Sequence, residues 1–480
     1  MAHRIPHHVT LPCMSDLSPL APSRWLSTTL AVDRRSYIAS GFALMIAKYA
    51  IEAVLVFALT RVIWTPWVFF APLATMRADA LADVQGGLVD AETLLAILAV
   101  LSMPFLAIGL SMSVRRASDA GFSPWLGLLF AVPIVNYAVM LALSLAPSKP
   151  RAPASRPSLA AEGIDRGAVR AALIGVLAAA GIGVGVVFIA SDRLGLYGMT
   201  IFFVLPIAMG ALAGYLVNRD RDRGVGLTLG TAVAATLVTG GALLLVALEG
   251  AVCVLMAAPI ALVAVCIGAL VGRVIAGVTL SSASALPPAL SCLALLPALA
   301  GVEHAATTPT IYEVRSSVVV AASPELVWNR VIAFPELAPP TEWYFHSGIA
   351  VPMGAHIEGT GVGAVRHCEF STGAFVEPIT RWEPGRRLSF DVEAQPPPLE
   401  EWSPYRHLHP PHLDASLRSI RGEFRLVPLE GGRTRLEGST WYTLSLAPEI
   451  YFRAWSDAVI HRVHLRVLEH VRRLAEADAR

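Results

Sequence analysis

Charged residues are scarce in this sequence, and their scarcity excludes a wholly soluble chain. They make up 15% of the 480 residues, against a usual share of about 25%, whereas hydrophobic residues reach 55%. The formal net charge is +1, so the chain has no bulk basic character. Nucleic acid is therefore not expected as a partner.

Cysteines are few, and their spacing excludes the common metal and redox motifs. The sequence holds five, at positions 13, 253, 266, 292 and 368. No two of them have the spacing of a zinc finger or a redox pair. Three lie in apolar runs, where a thiol behaves as a small hydrophobic group. We therefore expect free cysteines, no bound metal and no cofactor.

Familiar catalytic motifs are also missing. The sequence contains no nucleophile elbow, no phosphate-binding loop and no metalloprotease helix. The polar, proline-containing start lacks the short apolar run of a cleaved signal peptide, and residues 1–33 are predicted to be a disordered tail. No catalytic residue is predicted.

Long apolar runs are abundant, and a bilayer crossing needs about 20 such residues. Seven candidate spans lie near residues 37–60, 94–113, 124–146, 171–190, 199–217, 226–248 and 251–272, and a weaker eighth at 284–301 is interrupted by prolines. The segment 62–75 is apolar but short, so it is interfacial or re-entrant. The runs predict a three-span domain at 34–148, a proline-rich basic linker at 149–169, a Gly/Ala-rich bundle of four or five spans at 170–301 and a tether at 302–310.

Charges within and between the spans leave two questions open. Lys48 and Glu52 are four residues apart in the first span, and they form either a neutralised ion pair or a polar site in the membrane. Arginines follow both the second and the third span, and the positive-inside rule would place both sets in the cytoplasm, although one crossing separates them. The conflict disappears if segment 62–75 changes the number of crossings, or if Arg115 and Arg116 are buried in the fold. With 147–170 and 219–224 inside, the C-terminal domain is outside if 284–301 crosses and cytosolic if it does not.

The residues around the second and third spans resemble a known family. An Arg-Arg-x-Tyr sequence begins at Arg34, and Arg115-Arg116-x-x-Asp119 is followed by a Gly, a Trp and a proline-containing span. Residues 35–148 therefore resemble the bacterial membrane family called domain of unknown function 805, although Ala117 and Ser118 stand where that family has Leu and His. The resemblance implies a membrane domain without a known activity. It also implies a multi-pass protein of the bacterial inner membrane.

The last third of the chain changes to alternating patterns. A strand at 311–321 is followed by a helix that starts at Ser323-Pro324, and by strands near 362–371, 374–382, 386–394, 416–428 and 433–445. A long helix from Glu449 to about residue 477 closes the chain, with an apolar stripe at Phe452, Trp455, Val459, Val463, Val467, Val471 and Leu474. This order predicts an α+β domain in which an antiparallel sheet wraps a terminal helix.

Residues 311–480 are predicted to form a ligand-binding domain, and residues 311–478 of it resemble the START-like (SRPBCC) superfamily, which includes polyketide cyclase-like and Bet v 1-like proteins. The segments VVVAASPELVWNRVIAF, GTGVGAVRHCEFSTG, ITRWEPGRRLSFDV and GGRTRLEGSTWY carry the resemblance. It implies a helix-grip fold with a deep cavity between the sheet and the last helix, and a hydrophobic ligand. The expected fold class is thus an all-α transmembrane bundle followed by an α+β helix-grip domain.

Strand parity predicts which side chains face that cavity. Arg366 lies on the apolar side of its strand, and Glu377 faces it from the next, so the two form an inward ion pair at a ligand site or a structural pair at the rim. The predicted ligand-binding residues are Arg366, Cys368, Phe370, Glu377, Ile379, Phe390, Tyr442, Val459, Val463 and Val467. His407, His409 and His412 are predicted to form a gating loop, and a zinc site made of His409, His412 and His464 is a less favoured alternative.

The predicted function is binding of a hydrophobic small molecule or lipid at the membrane, for sensing or handling that molecule. One alternative is a membrane-bound cyclase- or hydrolase-like enzyme that uses a cavity Glu, His or Arg. Another is a scaffold whose soluble module binds a protein. The sequence does not name the ligand or a protein partner.

Overall fold

The protein is described here by a computed structural model. It describes residues 32–71, 91–131, 135–149, 166–193, 197–279 and 310–480, except 406, 407, 409 and 411, together with positions 25, 77, 80, 81 and 89. The predicted tail, linker, eighth span and tether lie almost wholly outside these residues. The chain divides into two units, one of residues 1–175, 211–229 and 267–292, and one of residues 176–210, 230–266 and 293–480.

The N-terminal part of the described chain is helical. The helices are α1 (Arg34–Thr60), α2 (Pro66–Phe69), α3 (Ala91–Asp119), α4 (Val135–Leu145), α5 (Arg166–Val187), α6 (Leu205–Asn218), α7 (Val225–Leu245) and α8 (Ala251–Thr279). A 3-10 helix spans Pro124–Ala131, and π-helical turns span Phe188–Arg193 and Thr200–Val204.

Five described helical segments are long and apolar enough to cross a membrane. They are Arg34–Thr60, Gly167–Ser191, Thr200–Asn218, Val225–Leu245 and Ala251–Val278. The predicted span 124–146 is instead divided between the 3-10 helix and α4, which has only 11 residues. At 1.5 Å per residue, α4 covers about 16 Å and is too short to cross a hydrocarbon core of about 30 Å by itself.

In the first unit, both arginines of the Arg115-Arg116 pair are buried. Arg116 donates from Nε to the Leu143 carbonyl at 3.1 Å and pairs with Asp119 at 2.6 Å. Its remaining nitrogen reaches the Ala146 carbonyl, so one guanidinium holds the carbonyl end of α4. Arg115 donates to the Ser111 carbonyl at 3.2 Å. These arginines therefore have a structural role. Because they are buried, they need not be counted among the loop charges to which the positive-inside rule applies.

The charges in α1 also form a closed pair. Lys48 and Glu52 are in contact, and Glu52 is fully buried. Trp64 donates from its indole nitrogen to the second oxygen of Glu52 at 3.3 Å, and Lys48 lies 4.9 Å from the ring centre of Phe69. Because the segment that follows α1 satisfies this pair, the neutralised ion pair is the arrangement that the structure contains.

The second unit contains a seven-stranded antiparallel sheet. Its strands are β1 (Ile311–Val320), β2 (Pro352–Glu358), β3 (Val365–Phe370), β4 (Gly373–Glu383), β5 (Arg387–Asp391), β6 (Leu417–Leu429) and β7 (Arg433–Leu444). Their order across the sheet is β1-β7-β6-β5-β4-β3-β2. The accompanying helices are α9 (Pro324–Ile332), a 3-10 helix at Trp343–Ser347, α10 (His412–Ala415) and α11 (Glu449–Asp478).

The sheet packs on α9 and α11 around one apolar core. Buried side chains of the strands meet Val327 and Val331 of α9, and Leu468 and Val471 of α11. This architecture is the helix-grip fold expected from the order of elements, and the predicted fold class is confirmed. Two details differ from the sequence prediction: β2 was not foreseen, and Trp455 of the predicted apolar stripe is 43% exposed.

Candidate functional site

A cavity of about 160 Å³ lies between the sheet and α11. Most of its wall is apolar, with a few polar groups supplied by β3, β4, β6, β7 and α11. Its central lining residues are Arg366, Cys368, Phe370, Phe375, Glu377, Phe390, Phe424, Thr440, Val459, Val463, His464, Val467 and Leu468. An apolar cavity of about 150 Å³ can hold benzene, so this one has room for about one ring or a short stretch of acyl chain.

The helix α11 forms the roof of the cavity through residues one turn apart. Val459, Val463 and Val467 follow each other at intervals of four residues and therefore lie along one face. Ile460 and Leu468 flank that row. The three valines are those that the sequence predicted as ligand-facing, and the structure places all three in the cavity wall.

An ion pair between neighbouring strands lies in the wall. Arg366 of β3 and Glu377 of β4 are directly opposite each other in the antiparallel register, and their charged ends are in contact. Arg366 is 2% exposed and Glu377 is 5% exposed. Because a lone charge at this depth would be strongly unfavourable, each residue requires the other.

Aromatic rings surround the Arg366 guanidinium. Its Cζ lies 5.2 Å from the ring centre of Phe390, 5.4 Å from that of Phe424 and 5.9 Å from that of Phe334. Its Nε has no hydrogen-bond acceptor among the described residues. The cation is thus held by a carboxylate and by ring faces, and one N–H donor remains for a further acceptor.

Burial affects the two partners in different ways. Burial acts to lower the pKa of Arg366, but the Glu377 carboxylate and the Cys368 side chain together more than offset it, so this pKa is raised. Burial raises the pKa of Glu377 even though Arg366 acts in the opposite direction. The raised pKa of Arg366 favours the charged ion pair, whereas the raised pKa of Glu377 favours a neutral carboxyl group and so opposes it. Arginine keeps its proton in proteins, so the state of Glu377 decides the charge of the pair.

His464 is a second polar group of the wall. Its Nε2 lies 2.8 Å from Thr440 Oγ1, and its Nδ1 lies 3.1 Å from Ser316 Oγ. The same Ser316 oxygen is 2.7 Å from His461 Nδ1, so two histidines of α11 hold one serine of β1. Burial, helped by the nearby His461, lowers the pKa of His464 to about 4. His464 is therefore neutral at physiological pH.

Cys368 offers little nucleophilic reactivity. Its thiol is 5% exposed and burial raises its pKa to about 12. The thiolate is the reactive form of cysteine, and it is essentially unpopulated here at neutral pH.

The structure brings most of the predicted ligand-binding residues together. Arg366, Cys368, Phe370, Glu377, Phe390 and the three valines line the cavity. Ile379 and Tyr442 are buried, but neither is in the described wall, which differs from the predicted site. Ile379 lies beside a register shift in the pairing of β4 with β5, and the Tyr442 hydroxyl donates to Asp457 near the start of α11.

The predicted gating loop is only partly described. His407 and His409 lie outside the described residues. His412 is buried in α10, next to Cys253 and Glu249, and is not part of the described cavity wall. The alternative zinc site includes His409, which lies outside the described residues, and only His464 of its other two histidines lines the cavity.

Sequence reasoning missed part of the wall. Phe424 of β6 lines the cavity near Phe390 of β5, with ring centres 6.2 Å apart. A Cβ at the neighbouring Gly422 would overlap the ring of Phe390, so this glycine makes room for it. The parity of β6 was the available signal, because Phe424 and Leu426 are two residues apart and apolar. The segment Pro396–Pro398 also lines the cavity, and no periodic pattern marks such a loop.

Comparison with known families gives one match. Residues 29–154 match the family model described as "Protein of unknown function (DUF805)". The resemblance predicted for residues 35–148 is thereby confirmed. No curated protein matches the chain.

Solved structures that are similar to about a third of this chain were also found. An aromatase/cyclase from Streptomyces sp. R1128 is 19% identical, with a TM-score of 0.24, over 36% of this chain and 97% of that one. Norcoclaurine synthase from Thalictrum flavum is 14% identical, with a TM-score of 0.25, over 36% and 99%. A protein from Nitrosospira multiformis is 18% identical, with a TM-score of 0.22, over 35% and 99%. The helix-grip assignment itself rests on this chain's own sheet order and terminal helix.

Proposed function

We propose that this protein binds a small hydrophobic molecule, or the apolar part of a lipid, under α11 and uses its occupancy to sense or handle that molecule at the membrane. The observation that carries this proposal is the cavity, which is apolar apart from a few polar groups. Ligand sites in proteins have this composition, in which apolar walls supply affinity and a few polar groups fix orientation. No covalent change to the ligand is part of the proposal.

The volume and the polar groups restrict the ligand further. A cavity of about 160 Å³ suits a single ring or an equivalent acyl segment. The free Nε donor of Arg366 suits a carboxylate or carbonyl oxygen on that ligand. The ligand class proposed is therefore a compact apolar molecule that carries one hydrogen-bond acceptor.

The contacts at the N-terminal end of α11 support a role in sensing. The first turn of α11 packs on two segments of the same unit, Thr200–Asn218 and Ala251–Val278, that are long and apolar enough to cross a membrane. The rings of Phe452 and Phe202 have centres 4.8 Å apart, and the Tyr451 hydroxyl donates to the Met256 carbonyl at 2.6 Å. A change in the position of α11 on ligand binding would therefore act directly on these segments.

Ligand-observed NMR on the full-length protein in detergent tests this proposal. Benzoate and benzyl alcohol are suitable probes, because they share a ring and differ in charge. Val463→Trp should fill the cavity and abolish saturation transfer to both probes, whereas Arg366→Met should weaken benzoate more than benzyl alcohol. Organic extraction and native mass spectrometry of the same preparation should recover a co-purifying apolar molecule.

The matched control is Ala477→Trp, which adds the same ring to an exposed position of α11. It should leave binding of both probes unchanged. Equal binding by the wild type and the Val463→Trp variant would show that the probes bind elsewhere, and the proposal would then fail.

An enzyme of cyclase or hydrolase type is the second candidate, and one observation favours it. Glu377 lies in the cavity wall and burial raises its pKa, which suits a general acid or base. In the same NMR and extraction experiments, an enzyme would yield a chemically altered ligand in the wild type and the unaltered ligand in Glu377→Gln. A pure binding protein would yield the same molecule from both.

A further inference from the structure

A second cluster of polar side chains joins three segments of the second unit. Glu249 lies in the turn between α7 and α8, Cys253 in the first turn of α8, and His412 at the start of α10. None of the three belongs to the described wall of the ligand cavity. The cluster lies where the helix-grip domain touches the α7–α8 hairpin, so it connects that domain to a membrane segment.

The donor atoms of this cluster converge. Cys253 Sγ lies 3.0 Å from His412 Nε2, whereas Glu249 Oε2 lies 3.5 Å from the other ring nitrogen, Nδ1, so only one of these two contacts involves the nitrogen that would bind an ion. One donor atom from each residue lies within 4.8 Å of the others. Tetrahedral zinc, with bonds of about 2.0–2.3 Å, places its ligand atoms about 3.3–3.8 Å apart. Small side-chain movements would therefore bring these three donors around one ion.

Burial and charge also favour a cation here. Glu249 and His412 are each 7% exposed. The Tyr197 hydroxyl donates to Glu249 Oε1 at 3.0 Å, whereas Oε2 accepts no hydrogen bond from the described residues and has only His412 Nδ1 near it, at 3.5 Å. No lysine or arginine in the described part of the chain pairs with this carboxylate. A buried carboxylate oxygen without a donor is costly, and a metal ion would satisfy it.

The neighbouring carboxylate is already engaged and helps to hold the cluster together. Glu401 accepts the backbone N–H groups of Val252 at 3.0 Å and Cys253 at 3.2 Å, at the N-terminus of α8. Glu401, a residue of the helix-grip domain, thus caps the N-terminus of α8. Cys253 is thereby fixed against the segment that carries His412.

We infer that Glu249, Cys253 and His412 form a zinc site that fastens the helix-grip domain to the α7–α8 hairpin. Thiolate, imidazole and carboxylate are all ligands that zinc accepts, and a three-ligand set leaves the fourth position for water. This inference does not depend on the ligand proposed for the cavity.

A second group of potential ligands provides an internal comparison. His356 and His367 are opposite each other on β2 and β3, with stacked rings 5.0 Å apart, and Glu358 lies on the same face. His356 and Glu358 are exposed to solvent, and the group contains no thiol. It would bind metal ions without a sulfur ligand, so the two sites differ spectroscopically.

The test uses full-length protein purified in detergent without a polyhistidine tag. Metal analysis should find about one zinc per chain, and substitution with Co²⁺ should give a near-ultraviolet thiolate-to-cobalt charge-transfer band. Cys253→Ser should remove that band, and His412→Ala or Glu249→Gln should weaken zinc binding roughly tenfold or more. Cys266→Ser, in the same helix, and the double variant His356→Ala/His367→Ala should keep both the band and the zinc.

The Co²⁺ spectrum of the wild type decides the question even if a variant fails to fold. Absence of a charge-transfer band in Co²⁺-loaded wild type would overturn the inference. A band that persists in Cys253→Ser would do the same. Metal lost only in the His356→Ala/His367→Ala variant would assign the binding to the exposed sheet group and would also overturn it.

Discussion

Among the individual residues, His464 shows how the cavity wall sets a proton equilibrium. Both of its ring nitrogens lie beside hydroxyl groups, Ser316 on β1 and Thr440 on β7. Hydroxyls can donate or accept, so they satisfy a neutral ring whichever nitrogen carries its proton. Burial of the ring, with a smaller contribution from the nearby His461, lowers its pKa, so the folded protein favours the neutral form.

Stability should consequently fall on acidification through this residue. The pKa of His464 drops from 6.5 in the unfolded chain to about 4 in the folded protein. Between these values the unfolded chain binds a proton that the folded chain does not, so the contribution is present above pH 6.5 and is lost as pH falls toward 4. The full shift corresponds to a loss of about 3 kcal/mol. Thermal unfolding of the wild type and His464→Gln, measured at neutral pH and near pH 5, should show a smaller acid-induced decrease in the variant.

The control for this measurement is His356→Gln, on an exposed position of β2. It should retain the acid sensitivity of the wild type. An identical acid-induced decrease in the wild type and His464→Gln would contradict the assignment of this sensitivity to His464.

The residues of the site differ in how far the sequence could reveal them. Arg366 and Glu377 followed from strand parity alone, because a period of two assigns each side chain to one face. His412 did not follow, because its partners Glu249 and Cys253 are more than 150 positions earlier in the chain. Nothing local in a Pro- and His-rich loop indicates contact with α8 and the turn that precedes it.

At the scale of elements, α6 and α8 approach each other closely through glycine. In the first unit, a Cβ at Gly272 would overlap the Ala211 carbonyl, and one at Gly214 would overlap the Ala269 carbonyl. Small residues permit such backbone contact between membrane helices. We predict that Gly272→Ala lowers the free energy of unfolding in detergent by about 1–3 kcal/mol, because the added methyl forces these helices apart.

Gly241→Ala provides the comparison, since it makes the same change in α7 where an added Cβ would meet no atom within 4 Å. Tryptophan fluorescence during denaturant unfolding should show no loss of stability for this variant. A Gly272→Ala protein as stable as Gly241→Ala would refute the close packing of α6 on α8.

The elements that sequence reasoning found are those with strong periodic patterns. The helix α11 was predicted from Glu449 to about residue 477 and spans Glu449–Asp478, because its stripe repeats at three and four residues. The strand β2 was missed, because it begins with Pro352 and holds Gly354, which both weaken a strand signal. The interrupted helix at 124–146 was missed because hydropathy measures apolar content and does not detect a break between helices.

For the whole molecule, the contacts of α8 predict the side of the membrane on which the helix-grip domain lies. The Trp402 carbonyl accepts the Ala251 N–H at 2.9 Å, so this domain touches the turn that follows α7. The loop that precedes α7 carries Arg219, Arg221 and Arg223, and arginine-rich loops remain in the cytoplasm. Because α7 is long enough to cross the bilayer, we predict an extracytoplasmic domain.

Reporter fusions after Arg480 measure this directly. Alkaline phosphatase, which is active only outside the cytoplasm, should be active there, and a fluorescent protein that folds only in the cytoplasm should remain dark. A reporter inserted at 219–224 should give the reverse pattern. A fluorescent C-terminal fusion with inactive phosphatase would contradict the prediction.

The length of α11 has one further consequence. The 30 residues of α11 extend about 45 Å. Residues near the middle of this helix line the cavity, and Tyr451 near its N-terminus contacts Met256. If occupancy of the cavity changes the free energy of that contact, thermodynamic linkage requires the reverse effect of equal size. Bilayer thickness or tension that shifts α8 would then alter ligand affinity by the same factor. Under the proposed function, the protein would report a chemical signal and a mechanical property of its membrane through one equilibrium.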